Sequence, residues 1–360
     1  VTLRVALVGG PMYEHLYRAL PPDTVEVVVL EDHPTLNRRV AEMLGAGERL
    51  DVISTHSKYA PSQAHWLRRL DDLFDAGVVG ALAPGAVALC RFDGALLSLP
   101  RLIDVRVLWV RTDRVEKVPD TWAELLASDA VFGFPGRESG LFGTFFELVV
   151  GSGGRLFDDD LRPTMDTPQA VEAIEVLCRL AARLPQDHPD WHYDEVDAAL
   201  LDGRLDAAAA WPGGWGAIAA SPLIGHLRPF PYLSGPRCRV SYAGAHSWGI
   251  PKTCGDLDGA VDLLTRLVGA EMQAADAVGG SICAHEGAQR ADRPVGEIDG
   301  ERLTVTRRMI AEAMITYPPF ARFPELEDAG WSALSRALRG LSTPAAAAAT
   351  IQAVASEVLA

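Results

Sequence analysis

The first third of the chain alternates between two hydrophobic periods, and this restricts its possible folds more than any other feature. Apolar, β-rich runs at Leu3–Val8, Val25–Leu30 and Asp51–Ser54 are separated by helical spacing at Tyr13–Leu20 and Thr35–Leu44. Strands that recur after intervening helices lie parallel in one sheet with helices on its faces. Pro34 falls in the first turn of the second helix, where its missing N–H costs least. Ligands of such sheets bind at the carboxyl ends of the strands. That rule places Gly9–Tyr13 and Thr55–Tyr59 on the rim of a candidate site.

Further along, the pattern predicts a helix over Ser62–Leu70 and a hairpin within Cys90–Pro100 turning at Asp93-Gly94. A β-run follows at Val105–Val110, then a helix beginning near Pro119 with Asp120 or Thr121 as its cap. Thr167–Ala182 has an apolar stripe at helical spacing. Strands are predicted at Leu205–Ala210 and Val240–Ala245, and helices at Leu257–Leu267, Leu303–Met314, Leu326–Leu338 and Pro344–Leu359.

The strand Leu205–Ala210 runs into Trp211-Pro-Gly-Gly-Trp215. A strand cannot continue through Pro212, and the two glycines let the backbone turn sharply and approach a guest. Two indoles beside such a turn offer flat apolar faces with a polar N–H at the edge, which suits a sugar ring. The alternative is that both tryptophans seal a core edge. Trp109, Trp122, Trp191 and Trp248 sit in strand or helix-start contexts and are read as core.

At 360 residues the chain exceeds what one core usually supports, so two lobes are expected. A net charge of −15 argues against nucleic acid or an anionic membrane as the main partner. No apolar run is long enough to span a bilayer. The chain opens directly on a strand, so either an export signal has been removed or the protein stays in the cytoplasm. The five cysteines are scattered and form no CxxC pair, which reads as buried thiols, although Cys238 and Cys254 flank a strand and could pair in an oxidising compartment.

Catalytic motifs fail one by one. Gly9-Gly10-Pro11 lacks the third glycine of a dinucleotide fingerprint. Ser139 stands one position late for a nucleophile elbow. His188 and His192 are separated by Pro189, which prevents the regular helix that would align them on a metal. Asp158-Asp159-Asp160 reads as a solvated turn. No metal, cofactor or catalytic set is expected, which favours a binder over an enzyme.

Taken in order, five stretches resemble the family 1 extracellular solute-binding proteins, the sugar receptors of ABC importers related to maltose-binding protein. They are Leu50–Thr55 with Leu70–Phe74; Phe92–Pro100 with Asp104–Asp113; Pro119–Leu125; Gly151–Asp160 through Thr167–Ala173; and Leu201–Trp215 with Trp248–Lys252. The resemblance implies an α/β, two-lobed periplasmic-binding-protein-like fold of type II, with hinge strands between the lobes and a ligand cleft between them. Lobe 1 would comprise residues 1–107 and 247–312, lobe 2 residues 108–246 and 313–360, with hinges near 105–109, 242–247 and 312–317. The implied function is non-enzymatic capture of a carbohydrate or glycoside-like solute by lobe closure, with delivery to an ABC transporter permease by an extracytoplasmic monomer. A cytoplasmic carrier or sensor on the same fold is the alternative, and a transferase-type enzyme a more distant one.

Carried over by position, the implied ligand contacts are Tyr13 and Glu14 after the first strand, and His56, Ser57 and Lys58 after the third. Asp104 and Arg106 lie at the first hinge, Glu138 and Ser139 before a helix, and Trp211 and Trp215 in the aromatic turn. Gly244 and His246 lie at the second hinge, and Arg322 at the third crossing. Ala245-His246 stands where many relatives carry Gly-Trp, so His246 would hydrogen-bond where they stack.

Overall fold

The computed structural model describes residues 2–10, 13–291 and 294–359, apart from the side chains of Glu14, His15, Asp104, Arg290 and Ala291. The chain divides into two compact units. Unit 1 holds residues 1–104, 244–293 and 317–323; unit 2 holds 105–243, 294–316 and 324–360.

The core of unit 1 is the predicted parallel sheet. Leu3–Val8 lies between Val25–Glu31 and Val52–His56, parallel to both, with Leu3 opposite Val25 and Val5 opposite Val52. The far edge of Val52–His56 is covered by the second half of strand Ser241–Gly249, running antiparallel with His246 opposite His56 and Gly249 opposite Ile53. Val52–His56 is buried along its whole length, as expected for a central strand covered on both faces.

The helix His33–Gly45 packs Leu36, Val40, Met43 and Leu44 onto this sheet. It starts at Asp32, whose carboxylate accepts the Thr35 N–H at 2.8 Å, with Pro34 in the first turn. Asp256 caps the helix Leu257–Val268 in the same way through Gly259 N–H. A buried carboxylate ties two strand ends to the sheet: Asp51 accepts from the Arg4 and Gly255 backbone N–H groups and from Arg49. Asp93 and Gly94 both take positive φ, 47° and 76°, which is the turn that twists with its flanking strands.

Only Ala60–Gln63 is helical where Ser62–Leu70 was expected. The next backbone donors are drawn elsewhere: Arg68 N–H bonds to Ile250 O and Leu70 N–H to Leu96 O. Pairing with neighbouring chain outweighs a helical pattern this short.

Unit 2 carries its own four-stranded sheet. Val107–Arg111 lies antiparallel to both Leu227–Phe230 and Ala207–Ala210, and Phe132–Gly133 joins the latter in parallel. All four alanines of Ala207–Ala210 are buried, and their small side chains leave room for the helix Tyr193–Leu201 to approach closely. The helix Glu138–Gly151 is apolar on nearly every side and runs through the interior. A methyl group at Gly330 would meet the Phe142 ring at 2.4 Å, so the helix Phe323–Leu338 can cross here only because residue 330 has no side chain. Of the two candidates Asp120 and Thr121, Thr121 caps the helix Trp122–Ala127, and Thr167 caps Pro168–Ala181.

The helix expected in lobe 1 ahead of the crossing near 312–317 begins at Glu297, six residues earlier than its apolar spacing indicated, and it belongs to unit 2. Arg302 on this helix places its guanidinium 5.1 Å from the Trp215 ring, and Glu301 pairs with Arg228. These contacts to unit 2 could not be read from the helix's own periodicity.

Candidate functional site

In unit 1, four side chains converge at the carboxyl ends of the parallel strands. Tyr13 follows Leu3–Val8, His33 follows Val25–Glu31, His56 ends Val52–His56, and His246 stands opposite it on the neighbouring strand. The Tyr13 hydroxyl lies 2.9 Å from His246 Nδ1, and His33 Nε2 lies 3.0 Å from the same atom. The three imidazoles are mutually in contact, with ring centroids 4.7 to 5.6 Å apart.

An unprotonated His246 Nδ1 can accept from both neighbours, so the arrangement favours neutral rings. Burial, followed by the charges of Lys58 and Arg101, pushes His33 down to about 3. Burial and neighbouring groups hold His56 and His246 well below the ordinary histidine range too. The product is a compact set of uncharged hydrogen-bonding rings. No group of three His, Cys, Asp or Glu among the described residues has the geometry to hold a metal ion.

Gly244 explains how His56 fits. A Cβ there would lie 2.0 Å from His56 Cε1 and 2.3 Å from Nε2, so the imidazole edge rests on bare backbone. Gly244 is therefore a seat for His56, and a side chain here would displace the ring. Ser57 exchanges two hydrogen bonds with the Ala245 backbone, which gives it a role in joining the loop to the strand. Lys58 donates its N–H to His56 Nδ1 and extends its ammonium over the Tyr59 ring at 4.7 Å.

In unit 2, the predicted residues are brought together around Trp211. Its ring meets Tyr193 and Tyr242 edge-on, at 5.8 and 6.0 Å. Ser139 lies near the Tyr193 hydroxyl. Beside it, Glu138 begins the Glu138–Gly151 helix with φ 53°, a conformation that strains any residue with a side chain. Its carboxylate pairs with Arg137 at 2.6 Å and approaches His192 Nε2 at 3.9 Å.

Two expected contacts turn out to be structural. Arg106 is 1% exposed, and its guanidinium is held by Glu147 and by Thr144 Oγ1. Burial opposes the charge, but the Glu147 carboxylate outweighs it and keeps Arg106 cationic. Glu147 also accepts the Tyr242 N–H, so the pair fastens the Glu138–Gly151 helix to strand Ser241–Gly249. Arg106 thus directs donors from all three guanidinium nitrogens to Glu147 and Thr144. Trp215 is 8% exposed and stacks on Trp109 at 6.2 Å, with Arg302 over its ring, so it seals the core as the alternative reading held.

The other expectations fall into place or outside view. The side chains of Glu14 and Asp104 lie outside the described residues. Arg322 is exposed on segment 317–323; Phe320 and Phe323, expected to frame it, pack against each other at 5.6 Å. Trp109, Trp122, Trp191 and Trp248 are buried. His188 is a core histidine bonded to Phe134 O at 2.8 Å. All five cysteines are free thiols.

His33, Tyr193 and Asp197 were missed in the sequence. His33 follows the strand Val25–Glu31 as Tyr13 follows Leu3–Val8, so the strand-end rule applied to the second strand points to it. Tyr193 and Asp197 stand four apart on one helix, a spacing too common to single out.

No family model matches the chain. Solved structures do. Maltose-bound MalE3 of T. maritima is 22% identical with a TM-score of 0.88, and 99% of each chain is covered. The GacH receptor of Streptomyces glaucescens, solved unliganded and with acarbose, is 18% identical with a TM-score of 0.85 over 100% of this chain and 99% of that one. An ABC transporter solute-binding protein from Thermotoga lettingae bound with α-D-tagatose gives 18% and 0.88, with both chains fully covered. Agreement over whole chains assigns the fold: α/β, of the periplasmic-binding-protein type. It is shared with solute-binding proteins of ABC transporters.

Proposed function

We propose that this protein is a non-enzymatic receptor for a small solute of the carbohydrate or glycoside class. In this reading it captures the solute by lobe closure and delivers it, outside the cytoplasm, to the permease of an ABC importer. The observation that carries the proposal is the pairing of chemistries on this fold. Unit 1 gathers neutral imidazoles and a tyrosine that can both donate to and accept from hydroxyls. Unit 2 presents a half-buried indole among tyrosines, the kind of apolar face with polar edges that a sugar ring occupies. Closure and the permease follow from the resemblance to the receptor family, as does the extracytoplasmic setting.

A thermal-shift screen against mono- and oligosaccharides, polyols, amino sugars and aromatic glycosides tests the proposal. A specific ligand at 100 times its Kd stabilises the native state by about 2.7 kcal/mol. Trp211→Ala should weaken binding of the hit by about 1–3 kcal/mol while the Tm of the free protein changes little. Equal losses of stability and affinity would make Trp211 a core residue, and a hit confined to a class without hydroxylated rings would end the carbohydrate reading.

A further inference from the structure

Two acidic side chains stand near the Trp211 turn, and they differ in one respect. Glu138 has a cationic partner in Arg137 and lies 3.9 Å from His192 Nε2. Asp197 has neither a hydrogen bond nor an ion pair among the described residues, and the charge acting on it is that of another acid, Asp194.

Its position follows from the helix that carries it. Within Tyr193–Leu201, Asp194, Glu195 and Ala198 are exposed, whereas Tyr193 and Asp197 are half-buried. Residues four apart share a helix face, so Asp197 sits one turn beyond the tyrosine that meets Trp211. That face is turned to the aromatic turn itself, since a methyl group at Gly214 would lie 3.5 Å from Asp197 Oδ2. Burial pushes this carboxyl up to about 7, far above the usual carboxylate range.

A half-buried carboxylate that no donor in the protein satisfies is compensated by water alone, and a guest bearing a suitable donor can take that water's place. A neutral hydroxyl would supply a hydrogen bond but leave the charge uncompensated; a protonated amine supplies both. We propose that Asp197 is a specificity-determining residue for the solute, and that it takes a cationic amino substituent of a ring-shaped, hydroxylated guest whose ring lies against Trp211. The inference rests on the receptor reading above and narrows it from carbohydrates in general to amine-bearing ones.

The test uses matched pairs on the full chain near neutral pH: D-glucosamine against D-glucose, glucosamine oligomers against cello-oligosaccharides, and cyclohexylammonium against cyclohexanol. Binding is read by calorimetry on the wild type and on Asp197→Asn. The expected result is that the amine member of a pair binds about tenfold or more tightly to the wild type, and that Asp197→Asn brings the two members within about twofold. The neutral member should bind both proteins alike.

Neutral sugars binding as well as their amines would overturn the proposal and leave the carbohydrate reading standing. So would an amine preference that survives Asp197→Asn. Cyclohexylammonium binding in an Asp197-dependent manner while every sugar fails would uphold the role of Asp197 and reject carbohydrate as the solute class. No preference for any of the three amines over its partner would overturn the role outright.

Discussion

Asp197→Asn should make this protein more stable, and the gain should depend on pH. Partial burial without a compensating donor displaces the Asp197 carboxyl upward to about 7. The unfolded chain releases this proton near pH 4, while the native state keeps it until about 7. Across that window the native state binds more protons than the unfolded one, so this group makes wild-type stability fall as pH rises. At about 1.4 kcal/mol per pH unit the full cost approaches roughly 4 kcal/mol above pH 7. Because the side chain is half-buried, water can still reach it, and a realistic gain for the uncharged isostere is about 2 kcal/mol at pH 8. For a domain of this size, 1 kcal/mol moves Tm by about 2–4 °C, so the variant should melt about 4–8 °C higher at pH 8. The two curves should converge near pH 4, where both side chains are neutral. Thermal unfolding of the two proteins at half-unit steps gives the comparison directly, since all other titrations cancel in the difference. Parallel Tm curves from pH 4 to pH 8 would refute the reasoning, because they would mean that Asp197 titrates as an ordinary surface carboxyl. A stabilising substitution at a recognition residue is the usual cost of holding a binding group ready.

Three further outcomes follow from the same geometry. Gly244→Ala places a methyl group against His56 and should cost about 1–3 kcal/mol in chemical denaturation, with much of the loss recovered in Gly244→Ala/His56→Ala. Full stability in the single variant would show that the ring has room to move. Arg106→Met leaves Glu147 buried and unpaired and should cost about 3–5 kcal/mol, whereas Arg106→Met/Glu147→Leu should regain most of it. A mild single variant would argue that water reaches the pair. The imidazoles of His33, His56 and His246 are held neutral, so the unfolded chain takes up protons below about pH 6.5 that the native state refuses; their contribution makes stability fall as pH drops through that point. Nitrogen-edited NMR should find these three rings still neutral at pH 5, and a titration midpoint between pH 6 and 7 for His33 would contradict the packing described.

The sequence alone determined the elements whose causes are local. The parallel strands of unit 1 were legible because a buried strand between helices needs an unbroken apolar run, and Val52–His56 is buried at every position. The cap at Asp120 or Thr121, which the structure gives to Thr121, and the turn at Asp93-Gly94 were legible because one side chain or one backbone angle decides each. The strand-end rule placed Tyr13 and His56 in the candidate site, and the same rule applied to the second strand would have added His33.

Tertiary structure decided which of these residues were free to bind. Arg106 and Trp215 have the composition of ligand contacts, but Glu147 lies 41 residues beyond Arg106, and Arg302 approaches Trp215 from the helix Glu297–Ala313, far along the chain. The helix Glu297–Ala313 belongs to unit 2 for the same reason: its periodicity states that one face is buried, not against what. Asp197 is the converse case, an unremarkable acid in a helix whose lack of a partner appears only once every neighbouring chain segment is in place. Periodicity and capping act over one or two turns, whereas a charge is satisfied or left unsatisfied by groups that only folding brings within a few ångströms.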